Sequence, residues 1–234
     1  MQTISIIIPT LNEAQSIGQI LDYLQQHGGP SLLEIIVVDA QSPDNTEGVA
    51  RQHGATVVSS CKRSRAAQMN AGAAAAKGDI LYFVHADCYP PTTYLADIQV
   101  ALDGGFPMGC YRYRFDSDAF LLKINAFFNR FEPLVCRGGD ETLFITKSAF
   151  ESLNGFDEHF CIMEEYDFIK RAREKFKFKI IPKYAVVSAR KYETNSWWQV
   201  QRANAKLFSM FNKGAEPQEM AAAYRRMLDY RQGN

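Results

Sequence analysis

Acidic residues at the ends of apolar runs, and two at the opening of a helical pattern, carry most of the chemistry this sequence offers. Asp39 follows Val37-Val38, Asp87 closes Phe83-Val84-His85-Ala86-Asp87, and Glu164 and Glu165 stand together in Met163-Glu164-Glu165-Tyr166-Asp167. A hydrophobic run that delivers a carboxylate to the mouth of a sheet suits a hard divalent cation, Mg²⁺ or Mn²⁺, whose coordination is completed by phosphate oxygens. Asp87 is therefore the expected metal ligand, and His85 shares its face because strand side chains alternate. An acid at position 39 is placed to accept hydrogen bonds from a base or ribose, and reads equally well as a loop or cap residue. Lys62-Arg63-Ser64-Arg65 puts cations at a strand-to-helix turn, where the helix dipole adds positive potential. That suits a pyrophosphate, although a solvated basic turn has the same composition. Adjacent Glu164 and Glu165 point in different directions, so one can take a proton from a reacting hydroxyl while the other caps or pairs. Taken alone, such a pair is also ordinary dipole chemistry at a helix start.

The elements that must position these residues alternate in the first half of the chain. Strands are expected over 4–8, 34–39, 56–59 and 79–85, with helices over 14–26, 45–53 and 65–77 between them. Continuous apolar strands separated by helices imply an α/β fold, a mainly parallel sheet covered on both faces. Ligands then sit at the carboxyl ends of the strands. Those ends are Pro9-Thr10-Leu11-Asn12-Glu13, Asp39-Ala40-Gln41-Ser42, the basic turn at 61–65, and His85-Ala86-Asp87. No G-x-G-x-x-G follows the first strand, which removes the phosphate cradle of a hydride-transferring dinucleotide enzyme. Beyond Pro90-Pro91 the alternation stops, leaving a strand over 108–115, an amphipathic helix over 119–131 and a strand over 142–146. From Ser196 the pattern is helical, with Trp197, Val200, Leu207 and Phe211 near one stripe, a break at Lys213-Gly214, and a closing helix through Tyr224 and Leu228. The division expected is one domain over 1–190, its nucleotide-binding half 1–90 and its acceptor half 91–190, followed by a helical extension over 191–234.

The balance of 26 basic and 26 acidic residues argues against a protein that coats nucleic acid, so anion binding must be local. Cys61, Cys88, Cys110, Cys136 and Cys161 are odd in number and never form C-x-x-C, which argues against a disulfide framework and structural zinc. With no basic leader and no apolar run near 18 residues, a cytoplasmic protein is expected, with contact at the inner membrane face as an option.

In this order and spacing, Ile6-Ile7-Ile8-Pro9-Thr10-Leu11-Asn12-Glu13, Val37-Val38-Asp39, His85-Ala86-Asp87, and Gly155-Phe156-Asp157-Glu158 through Glu164-Glu165-Tyr166-Asp167 resemble the family 2 glycosyltransferases. The resemblance spans about residues 3 to 190, and the tail resembles a small bacterial subgroup of that family. It implies the A-type nucleotide-diphospho-sugar transferase fold, a nucleoside-diphosphate-sugar donor (UDP-sugar favoured), inversion at the sugar, and a divalent Mn or Mg ion. Carried onto this chain, it implies that Pro9, Thr10 and Glu13 line the nucleotide pocket. It further implies that Asp39 contacts the base and that Arg65 sits by the nucleotide or diphosphate. Asp87 would hold the metal, Glu165 would be the catalytic base, Glu164 would support it, and Gly139-Asp140 would approach the acceptor. The chain departs from the family pattern in three places. His85 stands where the metal motif usually has its first acid, Glu165 is a methylene longer than the common aspartate, and Arg190 and Lys191 follow the last strand where some relatives supply a metal-binding histidine. Those two cations are expected to meet the diphosphate leaving group.

Two rival readings make different demands. A nucleotidyltransferase of sugar phosphates needs a Gly-rich, Lys- or Arg-bearing loop after the first strand, and Pro9-Thr10-Leu11-Asn12-Glu13 is not one. A non-catalytic nucleotide-binding scaffold has no need of Asp87 and Glu165 together. The acceptor expected is a sugar or lipid-linked hydroxyl. The aromatic stripe over 196–213, flanked by Arg202 and Lys206, either lies against a bilayer to meet it or packs on the domain, and packing is the favoured reading.

Overall fold

The protein is described by a computed structural model covering residues 2–134 and 142–229. Gly139, Asp140 and Cys136 lie outside the described residues. The chain alternates β1 (Ile4–Thr10), α1 (Ile17–Gln26), β2 (Leu32–Asp39), α2 (Thr46–Gln52), β3 (Thr56–Ser59), α3 (Arg65–Ala75) and β4 (Ile80–Phe83). It continues through β5 (Cys88–Tyr89), α4 (Tyr94–Asp103), β6 (Met108–Phe115), α5 (Phe120–Phe128), β7 (Leu143–Thr146), α6 (Lys147–Ser152) and α7 (Glu164–Arg173). The last elements are β8 (Phe178–Val187), α8 (Lys191–Thr194), α9 (Trp197–Asn212) and α10 (Pro217–Met227).

All eight strands form one sheet in the order β3-β2-β1-β4-β7-β6-β8-β5. β3, β2, β1 and β4 are parallel; β7 runs against both β4 and β6; β8 is parallel to β6, and β5 is antiparallel to β8. The sheet is thus mixed, with β5 and β7 opposed to the other six. The carboxyl ends of β1, β2, β4, β6 and β8 consequently open on one edge.

Strand alternation divides the core into two layers. Ile4, Ile6, Ile8, Val37 and Tyr82 pack with α1 and α4 through Ile17, Ile20, Leu24, Tyr94 and Ile98. Ile7, Ile36, Val38, Leu81 and Phe83 pack with α3, α6 and α7 through Met69, Phe150 and Phe168. Burial on both sides is why these strands read as unbroken apolar runs. The Ala-rich helix α3 lies close against the sheet, and a Cβ built on Gly72 would fall 2.4 Å from Ile7 Cγ2 and 2.9 Å from Val38 Cγ2.

The C-terminal helices pack on the domain. Ser196 and Gln199 form a reciprocal capping box at the start of α9, and Pro217 opens α10. Val200, Ala203 and Leu207 of α9 meet Met220, Tyr224 and Leu228, and the same cluster takes in Met163 and packs Phe160, Ile162 and Tyr166. The apolar stripe over 196–213 is thereby occupied, with Trp198 the large hydrophobic residue it leaves exposed. α5 behaves differently: it buries Leu122 and leaves Phe120, Leu121, Phe127 and Phe128 exposed. No described helix is long and apolar enough to cross a membrane.

Two stability changes follow from this packing. Gly72→Val, which forces branched methyl groups between α3 and β1, should cost about 1–3 kcal/mol in urea denaturation at an unchanged m-value. Leu207→Ala, which opens a cavity between α9 and α10, should cost roughly 2–5 kcal/mol in the same assay, and a neutral result would show that α9 does not brace the domain.

Candidate active site

Two carboxylates are buried side by side at the edge where the strands end. Glu164 and Glu165 open α7 with side chains only 5% and 9% exposed. Each faces its own partner. Glu164 Oε1 lies 3.6 Å from Arg65 Nε, at the start of α3, and Glu165 Oε1 lies 3.3 Å from His85 Nε2, just past β4. Their divergence is the one that successive positions on a helix impose. Four further acids and bases grade α7 along its dipole, with Asp167 in the first turn and Lys170, Arg171 and Arg173 in the last.

The proton affinities reflect this crowding. Burial raises the Glu164 pKa, and the charge of Glu165 adds to it, while Arg65 pulls it down; the net direction is up. Burial works against a charged His85, but the hydrogen bond and charge of Glu165, helped by Asp87, outweigh burial and the opposing charge of Arg65. His85 therefore titrates above an ordinary histidine. The residue before the pair, Met163, sits at φ 68°, left-handed backbone that a non-glycine residue holds only when its surroundings enforce it. Its side chain is anchored in the α9–α10 cluster, so the C-terminal helices hold the turn that presents Glu164 and Glu165.

Asp87 lies near this pair, in the turn after β4. Because β4 ends at Phe83, strand alternation does not place His85 and Asp87 together. A turn in which Cys88 N donates to His85 O does so, and both residues line one small cleft with Cys88, Val187 and Ser188. The Asp87 Oδ2 atom accepts from Arg190 Nη2 at 2.8 Å, and the same guanidinium reaches both carboxylate oxygens of Glu13, at 3.1 and 3.4 Å. Burial disfavours the charged Arg190, and the two carboxylates more than offset that, so its pKa is raised. Among the described residues no group of three or more His, Cys, Asp or Glu side chains is arranged to hold a metal ion.

The β1 and β2 ends form the other wall. Pro9 and Thr10 are buried, and Asp39 is fully buried. The Asp39 carboxylate accepts from Ser42 N at 2.7 Å, Ser42 Oγ at 2.6 Å and Thr10 Oγ1 at 3.1 Å. Asn12 N donates to Ser42 Oγ, and Glu13 N to Thr46 Oγ1, tying the two loops together. Lys62, from the basic turn, is engaged with Glu158 at 2.6 Å.

The structure thus brings Glu13, Arg65, Asp87, Glu164 and Glu165 to one edge, with Pro9, Thr10 and Asp39 in the wall behind them. Sequence reasoning missed two residues that hold this edge and the pairing of a third. Gln68 Nε2 donates to both Thr10 O and Val38 O, at 2.8 and 2.7 Å, pinning the ends of β1 and β2. The signal was a glutamine within the alanine-rich buried side of α3. Asn70 exchanges hydrogen bonds with Phe156, fixing the Gly155-Phe156 turn where Gly155 sits at φ 67°. Arg190 was read as a cation for a leaving group, and nothing local marked it as the bridge between Glu13 and Asp87.

Comparison with known proteins gives the chain's family and its fold. The model of "Glycosyl transferase family 2" matches residues 5–160. Curated relatives include the glycosyltransferase AglE of Haloferax volcanii, 32% identical over 39% of this chain and 33% of its own length. The glucosyl-3-phosphoglycerate synthase of Mycolicibacterium paratuberculosis is 34% identical over 38% of this chain and 30% of its own length. The matches thus span about a third of the length of these relatives. Among solved structures, a mannosyltransferase from Pyrobaculum calidifontis in complex with GDP-Man and Mn²⁺ superposes with a TM-score of 0.68 at 20% identity, covering 97% of this chain and 70% of that one. The Mycobacterium tuberculosis glucosyl-3-phosphoglycerate synthase, in complex with Mn²⁺, UDP and glucosyl-3-phosphoglycerate, gives 0.63 at 19% identity, with 92% and 81% covered. These likenesses establish the fold, that of nucleotide-diphospho-sugar transferases, and with two thirds of its length matched by the family model, the chain belongs to glycosyl transferase family 2.

Proposed function

We propose that the protein transfers a sugar from a nucleoside-diphosphate donor, a UDP-sugar in preference, to an acceptor hydroxyl with inversion. The observation that carries this reading is the placement of a buried Glu165, backed by His85 rather than by a strong cation, at the same strand-end edge as Asp87. A carboxylate excluded from water and not neutralised by an arginine can still accept a proton. The relatives solved with Mn²⁺ and UDP or GDP-Man support the donor class.

In this reading Pro9, Thr10, Glu13 and Asp39 line the nucleotide's place, with Asp39 toward the base and Arg65 toward the diphosphate. Glu165 accepts the proton of the acceptor hydroxyl as its oxygen bonds to the anomeric carbon from the face opposite the diphosphate. The bond from that carbon to the diphosphate oxygen breaks, and its electron pair leaves on the diphosphate. Glu164, tied to Arg65, keeps the start of α7 in place and couples it to the donor side. Arg65 and Arg190 supply positive charge where the leaving group gains negative charge.

The donor set at Asp87 suits a hard divalent cation held by one carboxylate and completed by substrate oxygens, and does not form a cage of protein ligands alone. Asp87 would hold such an ion, which when bound would neutralise charge on the diphosphate.

Glu165→Gln should lower transfer by roughly 10²- to 10⁴-fold while leaving affinity for UDP unchanged. Rates are read by donor consumption and affinity by calorimetry; transfer undiminished in the variant would remove Glu165 from the role of base.

A further inference from the structure

The Arg190 side chain is an unusual neighbour for a metal-binding carboxylate. Its guanidinium crosses the mouth of the site from the end of β8 to the loops after β1 and β4, strands that β7 and β6 separate from β8. The short β5–β8 ladder makes the approach possible: Cys88 pairs with Val187, so Asp87 lies beside the segment running into Arg190. One guanidinium nitrogen then serves both Asp87 and Glu13, and a second serves Glu13. Besides Arg190, the Glu13 carboxylate has a second donor in the Ser16 hydroxyl. The bridge is also open to solvent, with Arg190 45% and Asp87 34% exposed, so it is the kind of ion pair that a competing ligand can displace.

Charge decides what can displace it. A divalent cation arriving alone at Asp87 meets a permanent positive charge already in contact with that carboxylate, and the two repel at short range. A nucleoside diphosphate arriving alone meets the negative charges of Asp87 and Glu13. Arriving together they satisfy every group: the cation takes Asp87, and the diphosphate takes the guanidinium, whose planar fork suits phosphate oxygens as well as carboxylates.

We propose that Arg190 is a positioning residue that acts as the counter-ion of the donor site, holding Asp87 until a nucleoside diphosphate draws the guanidinium away. Divalent cation and diphosphate then bind as a mutually dependent pair rather than one after the other. This rests on the reading of Asp87 as the metal ligand given above. By linkage, whatever factor the cation adds to the diphosphate's affinity, the diphosphate adds to the cation's.

The test is calorimetric titration of the full chain with MnCl₂ alone, UDP alone, and each in the presence of the other. It uses the wild type, Arg190→Gln, Arg190→Lys and Asp87→Ala, with thermal melts to confirm that each variant folds. In the wild type, Mn²⁺ alone should bind weakly and raise UDP affinity by about tenfold or more. Arg190→Gln should bind Mn²⁺ alone several-fold more tightly, bind UDP more weakly, and lose most of the coupling, while Arg190→Lys keeps part of it. Equal binding of Mn²⁺ alone by wild type and Arg190→Gln, with the coupling unchanged, would reduce Arg190 to a structural strap and overturn the inference by itself. Persistence of Mn²⁺-dependent UDP binding in Asp87→Ala would instead overturn the assignment of Asp87, and the inference with it.

Discussion

Two carboxylates buried next to each other at the mouth of a sheet are the constraint on which the rest of this site depends. Ionised carboxylates taken out of water are costly unless each is paired or hydrogen-bonded. Here the partners come from two different elements, Arg65 from the first residue of α3 and His85 from the turn after β4. The choice of partner separates the two acids. An arginine keeps its charge under all ordinary conditions and commits Glu164 to an ion pair. A histidine can be neutral or charged, so the partner of Glu165, unlike that of Glu164, is itself titratable.

Holding that arrangement requires support from distant parts of the chain. Gly72 lets α3 lie close enough to β1 and β2 for Gln68 to grip both strand ends. The left-handed Met163 that precedes the two acids is anchored by the α9–α10 cluster, so the C-terminal helices belong to the site's scaffold. On the opposite wall, Glu13 and Asp87 come from neighbouring parallel strands and would repel each other without Arg190 between them. One wall of the cleft therefore balances two acids with one arginine, and the other balances two acids with one arginine and one titratable group.

Much of this was legible in the sequence, for local reasons. Unbroken apolar runs such as Ile4 to Ile8 announce strands buried on both faces, and the acids that end them mark the ligand edge. The order of Glu13, Asp39, Asp87 and Glu165 along the chain was enough to suggest a family that the profile comparison then established. What stayed hidden is pairing at long range. Nothing near His85 shows that it will meet Glu165, and nothing near Arg190 shows that it will meet a carboxylate 103 positions earlier. That second contact depends on β5, a two-residue strand too short to leave a pattern. The reasoning that put His85 and Asp87 on one face by strand alternation also failed, since β4 stops at Phe83 and a turn places them instead.

If the site works as proposed, the edge formed by Glu13, Asp39, Asp87 and Arg190 receives a nucleoside diphosphate with a divalent cation. Titration of the purified protein with UDP, GDP, CDP and dTDP, each with and without Mn²⁺ or Mg²⁺, tests it most directly by heat of binding. One of these diphosphates, UDP in preference, should bind selectively, and its binding should depend on the metal. Absence of binding by all four, with either metal present, would contradict it.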